Sequence, residues 1–211
     1  MQEEHDDIIN ICNITRLEVA ALSWQLLLPD LEKIRSRYFT LKHSAFPFWA
    51  RIWPAAKALG IYLVENFQVI DNKSVLEVGG GLGIPSIVAS GFASEVICTD
   101  LYPEGLWICK KNAELNGIGN VSIRVFDWNI DEMPDTDVII GSDISYDPSQ
   151  YKRLEKLLRI WVDAGKTIVL SMPQRLQSVP FVVAIESLIR DRREYTIIDD
   201  EREVIVSVFR L

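Results

Sequence analysis

Val75-Leu76-Glu77-Val78-Gly79-Gly80-Gly81-Leu82-Gly83 reads as a strand that ends in an acid and runs into four glycines within five positions. Such a turn lets backbone approach a ligand closely, because no side chain intervenes and positive φ is allowed. A G-x-G-x-x-G turn takes a pyrophosphate at the N-terminus of the following helix. Here the spacing differs. Glu77, just before the turn, would repel a pyrophosphate but could favour the ammonium of an amino-acid-like cofactor, directly or through water. A ligand-free strand-to-helix turn is the competing reading.

Outward from this turn the chain alternates strands and helices. Strand 74–78 is followed by a helix over 84–90, a strand over 95–99, a helix over 103–116 and a strand over 121–126. A strand over 137–141, a helix over 149–161 opened by a Ser149 cap, a strand over 167–171 and a helix over 179–190 complete the alternation. Two runs, 195–198 and 204–210, flank the acidic Asp199-Asp200-Glu201 and read as an antiparallel hairpin. Buried runs such as Val138-Ile139-Ile140 fit strands covered on both faces, so the pattern predicts an α/β, doubly wound, mostly parallel sheet. Upstream, Pro47 to Leu63 reads as a loop feeding an amphipathic helix. Before it, Ile8, Ile9, Ile11 and Ile14 fit a short strand, and Val19 to Leu28 a short helix or a second strand. The expected division is an N-terminal extension over 1–46, placed on the substrate side, and one domain over 47–211.

The chain has 211 residues, 48% hydrophobic and 25% charged, enough to bury one core without staples. Its net charge of −8 argues against a polyanionic partner such as nucleic acid and suits a basic or neutral substrate. Three cysteines without a C-x-x-C pair argue against a disulfide framework or a zinc site, and predict a reducing, cytoplasmic setting. The acidic start and the lack of an apolar run near ~20 residues predict neither a secretory signal nor a membrane span. With His5 and His43 as the sole histidines, His-based metal sites and Ser-His-Asp hydrolysis are poorly supported, and no metal is expected.

Four features could carry chemistry. Besides the turn, Asp100 ends the strand 95–99 roughly 20 residues on, where an acid can receive two ribose hydroxyls; an acid after a strand is on its own more often a solvated loop residue or a helix cap, and the conjunction with the glycine turn reverses that. Asp127-Trp128 follows the third strand, where the carboxylate could accept from an adenine amino group and the indole could cover a purine face. Trp53 is another aromatic able to line that pocket, although core packing is the commoner fate of a tryptophan. Ser142-Asp143-Ile144-Ser145-Tyr146-Asp147-Pro148 lies beyond the carboxyl end of a buried strand, where open α/β sheets bind ligands. There Asp143 could orient an amine or receive its proton, and Tyr146 could shape an apolar slot; helix capping and local packing compete.

The series "FWARIWPAAKAL", "VLEVGGGLGIPSIVAS", "ICTD", "VFDW" and "DVIIGSDISYDP" resembles methyltransferase family 16, seven-strand methyltransferases many of which modify protein lysines. The resemblance covers roughly residues 46 to 171. It implies a class I, Rossmann-like sheet of six parallel strands with an antiparallel C-terminal strand inserted between its neighbours. It implies S-adenosyl-L-methionine as cofactor, contacted by Trp53, with Glu77 before the turn, Gly79, Gly80 and Gly81 around the methionine part and Asp100 on the ribose. Asp127 and Trp128 would lie beside adenine, and Ser142 would occupy the small position before the D-x-x-Y motif. Asp143 and Tyr146 are that motif, at the junction of cofactor and substrate.

Methyl transfer to a lysine of a protein substrate is therefore the leading expectation. N- or O-methylation of a small molecule is permitted equally by the cofactor motifs. A silent cofactor-binding interaction module is disfavoured by the intact motifs, and a nicotinamide-dependent oxidoreductase by the glycine spacing.

Overall fold

Strands whose side chains are apolar on both faces need helices on both faces, and that demand organises this molecule. A computed structural model describes residues 8–40 and 46–211. Residues 1–7 and 41–45 lie outside it, and with them His5, His43 and the acidic start.

In chain order the elements are β1 (Cys12–Val19), β2 (Leu22–Pro29), α1 (Leu31–Thr40), α2 (Pro54–Glu65), β3 (Ser74–Val78), α3 (Ile84–Ala89), β4 (Glu95–Asp100) and α4 (Pro103–Leu115). There follow β5 (Val121–Val125), β6 (Val138–Ser142), α5 (Tyr151–Asp163), β7 (Thr167–Pro173), α6 (Val179–Ile185), β8 (Asp191–Asp199) and β9 (Arg202–Arg210). Seven strands form one sheet in the order β5-β4-β3-β6-β7-β9-β8. The first five are mutually parallel, and β9 is antiparallel to both β7 and β8. The last strand thus slots between its neighbours and β8 runs with the rest, as the resemblance implies.

Successive residues of a strand point to opposite faces, so Val138 and Ile140 join the core beneath α2 and α3, while Ile139 joins the core beneath α5 and α6. All three are fully buried, and each such side chain stabilises the fold by about 1.5–3 kcal/mol. Helix α5 offers Leu154, Leu158 and Trp161, spaced at four and three, as its buried stripe.

Three local expectations are corrected. Ser149 does not cap α5; Asp147 accepts from the Ser149 N–H and opens a short 3-10 turn that precedes the helix. The helix expected over 179–190 stops at Ile185, because Asp191 onward pairs with β9 through the whole register from Asp191↔Arg210 to Asp199↔Arg202. Ile8 and Ile9 are helical, and the strand begins at Cys12, pairing with β2 as an antiparallel hairpin.

That hairpin docks on α4 through side chains. Asn112 and Asn116, one turn apart, take the N–H groups of Leu27 (2.7 Å) and Gln25 (3.0 Å). The Asn116 amide also donates to the Gln25 carbonyl at 2.7 Å. Asp30 then caps α1 by accepting from the Glu32 and Lys33 N–H groups. Tyr38, near the end of α1, accepts from the buried Trp49 indole N–H at 2.8 Å. The amino-terminal elements therefore reach the segment that borders the glycine turn. Among the described residues no helix is long and apolar enough to cross a membrane.

Candidate active site

The strand order reverses between β3 and β6, and a cleft opens beyond the carboxyl ends of β3, β4 and β6, at that switch point. Its lining includes Trp53, Gly79, Gly80, Gly81, Asp100, Asp127, Trp128, Ser142, Asp143 and Tyr146. Of the residues singled out from sequence for the site, all but Glu77 meet in the lining of this one cleft.

The turn is shaped by close approach. Gly79 (φ +67°) and Gly81 (φ +53°) hold left-handed backbone, which glycine adopts without a Cβ penalty. A Cβ on Gly79 would come within 2.9 Å of Ile144 Cγ2, and one on Gly81 within 3.3 Å of Trp49 Cα. The Asp143–Tyr146 loop and the Trp49 segment thus close on the turn from two sides. Asp100 ties it down, Oδ2 accepting from the Gly81 N–H at 2.8 Å and Oδ1 from the Tyr102 N–H at 3.0 Å. Burial pushes the Asp100 carboxyl up from its ordinary value, opposed by those N–H groups. A carboxylate has about four acceptor positions, more than these backbone N–H groups fill.

Glu77 lies behind the turn, fully buried. Its Oε2 accepts from the backbone N–H and the hydroxyl of Ser86 in α3, and Oε1 has no protein partner. Its route to a ligand would run through water or through the turn it braces. Burial raises its pKa to about 8, with the Ser86 bonds opposing. The fold therefore favours the protonated form: that stabilisation is complete below the ordinary 4.5 and is lost as pH climbs through about 8. Thermal unfolding scans should show Glu77→Gln gaining several degrees on the wild type between about pH 5 and about pH 8.5. A constant difference would show that the carboxyl titrates normally.

Asp127 caps its own turn, Oδ1 accepting from the Asn129 N–H at 2.8 Å. Trp128 comes within 4.0 Å of where a Gly79 Cβ would stand. A ligand that is an amino acid at one end and a nucleoside at the other fits this arrangement: bare backbone at Gly79 to Gly81, a carboxylate with free acceptor positions at Asp100, an indole face at Trp128.

The opposite side carries Asp143. Its φ of +52° is unusual for a residue with a side chain, though aspartate tolerates that region, and its N–H donates to the Ser171 carbonyl at 2.7 Å. Arg175 grips the carboxylate as a fork, Nη1 to Oδ1 and Nη2 to Oδ2, both at 2.8 Å. Burial pushes the Asp143 carboxyl up, and Arg175 pulls it back. Tyr146 packs on Phe48 with ring centroids 5.2 Å apart, and Phe48 on Trp53 at 6.1 Å. The Trp53 indole N–H donates to the Phe48 carbonyl, and Arg51, bonded to Asp199 at 2.7 Å, lies over the Trp53 ring. Sequence reading missed Arg175 and Phe48. Arg175 did have a signal: it follows β7, at the same carboxyl edge of the sheet.

The profile of a family described as lysine methyltransferase matches residues 47–187. Among curated relatives, the mouse protein named histone-arginine methyltransferase METTL23 is 31% identical over 110 residues, 49% of this chain and 44% of that protein. The electron transfer flavoprotein beta subunit lysine methyltransferase of Danio rerio is 31% identical over 134 residues, 62% of this chain and 52% of that protein. The chain spans about half the length of the curated relatives it matches. The crystal structure of precorrin 8W decarboxylase from Methanobacterium thermoautotrophicum superposes with a TM-score of 0.57 at 19% identity, covering 75% of this chain and 91% of that one, a likeness of fold.

Proposed function

We propose that this chain, which belongs to the lysine methyltransferase family and takes S-adenosylmethionine as its methyl donor, transfers the methyl group to the side-chain amine of a lysine in a protein. When bound, the cofactor supplies a methyl group on a positively charged sulfur. The protein's share is to align an uncharged nitrogen with that methyl and to exclude water.

One observation carries the reading: the Asp143–Tyr146 loop packs directly on Gly79, so acceptor-side residues and glycine turn share one cleft. In this proposal Gly79, Gly80 and Gly81 hold the methionine part, Asp100 the ribose hydroxyls, and Asp127 with Trp128 the adenine. Trp53 and Ser142 border the cofactor, and Glu77 braces the turn from behind. Asp143 accepts a hydrogen bond from the acceptor nitrogen. Phe48, Trp53 and Tyr146 line the approach with ring faces, which suit a methylene stem ending in an amine or ammonium.

A second reading, arginine as acceptor, is favoured by the similarity to histone-arginine methyltransferase METTL23. Labelled S-adenosylmethionine incubated with this protein and a lysate of the source cells decides between them. Mass spectrometry should place the label on lysine. Label on arginine would replace that acceptor, and label confined to small molecules would overturn a protein substrate altogether.

A further inference from the structure

The reactive form of a lysine is its free amine, yet a lone carboxylate in a half-closed cleft would attract the ammonium and hold its proton. Asp143 is not lone. Its side chain is 11% exposed, and both carboxylate oxygens are engaged by the Arg175 fork at 2.8 Å. Bidentate pairing leaves each oxygen an acceptor position while cancelling the charge.

The other groups facing this spot do not supply that cancellation. Tyr146, on the same loop, and Tyr102 bring phenols, and Asp100, across the cleft at the end of β4, adds negative charge. Arg51, which also lines the cleft, is bonded to Asp199 and Asp200 at the β8–β9 turn.

We infer that Arg175 is a positioning residue that sets the charge of the acceptor pocket, so that Asp143 receives an uncharged N–H donor rather than an ammonium. The inference rests on the methyltransferase reading of the cleft. Burial alone would push Asp143 toward its protonated form, a weaker acceptor with an O–H to donate, and the guanidinium opposes this. Arg175 therefore keeps Asp143 an acceptor without making it a trap for cations.

The test needs no acceptor. Sinefungin carries an amine where S-adenosylmethionine carries its methylated sulfur, and S-adenosylhomocysteine carries neither charge there. The ratio of their affinities, measured by calorimetry at about pH 7.5, reports the charge preference of the pocket. Arg175→Gln should raise sinefungin affinity relative to S-adenosylhomocysteine by about tenfold or more, equivalent to about one pH unit on the amine. Asp143→Asn alone, which leaves Arg175 unpaired, should lower the ratio by about tenfold. The double variant should return it to near the wild-type value, and Arg175→Lys, which keeps the charge without the fork, should stay close to wild type. An unchanged ratio in Arg175→Gln or in Asp143→Asn would overturn the inference, as would a double variant no closer to wild type than Arg175→Gln. Failure of both ligands to bind the wild type would instead overturn the cofactor reading, and this inference with it.

Discussion

Asp143→Ala is expected to cut methyl incorporation into a lysate by about a thousandfold, a loss within the range for removing a positioned proton acceptor, while S-adenosylhomocysteine still binds. The two effects separate because of where the residue stands. In the proposed reading Asp143 faces the acceptor side of the cleft, and its own backbone N–H is held by Ser171 rather than by the glycine turn. Truncation also leaves the Arg175 guanidinium without its partner beside a cofactor that already carries positive charge. That repulsion would add to the loss of alignment. Incorporation of labelled methyl groups and calorimetry on the same preparation read the two quantities independently. A variant that methylates at the wild-type rate would remove Asp143 from the chemistry. One that loses cofactor and activity together would make it part of the cofactor site.

Asp100→Ala should act in the opposite way, weakening S-adenosylhomocysteine by at least about a hundredfold, the lower end of what is expected for two hydrogen bonds to a charged acceptor at about 1.5–3 kcal/mol each. The carboxylate has two jobs. In the proposed reading it offers its remaining lone pairs to the ligand, and it fixes the N–H groups of Gly81 and Tyr102. In a poorly solvated site both sets of bonds are strengthened. Asp100→Asn keeps one accepting oxygen and should fall between the two. Equal affinity of the alanine variant and the wild type, by calorimetry, would mean that the ribose lies elsewhere.

How much of this was legible in the chain depended on burial. Strand β3 runs over the same residues, Ser74–Val78, as its sequence reading, and β6 and β7 lie within a residue or two, because strands apolar on both faces leave a plain signature. Edge strand β8 did not. Its first half is Asp191-Arg192-Arg193-Glu194, charges that keep an exposed edge soluble and also erase the apolar alternation. The β1–β2 turn was hidden as well. It uses Ala20-Ala21 with Ala20 at φ +52°, where the usual signal is glycine or asparagine. Site residues within motifs were readable from local spacing. Arg175, whose signal was only its place after β7, and Tyr38 were not, since they meet partners outside their own segments, the Asp143 carboxylate through a two-bond fork and the Trp49 indole N–H. Glu77 was read toward the ligand from its place before the turn; its rotamer, set by Ser86 nine positions on, turns it inward.

The pair Asn112 and Asn116 works because two unrelated repeats nearly coincide. Four residues of helix rise about 6 Å, and two residues of an extended chain advance about 6.8 Å. Two primary amides one turn apart can therefore serve Gln25 and Leu27 together, as a neighbouring strand would. A slip of the hairpin by one residue would present the wrong edge to both amides at once. Helix α4 thus acts as a gauge for the start of the chain, and the length it sets is carried along α1 to Tyr38, Trp49 and the rim of the cleft.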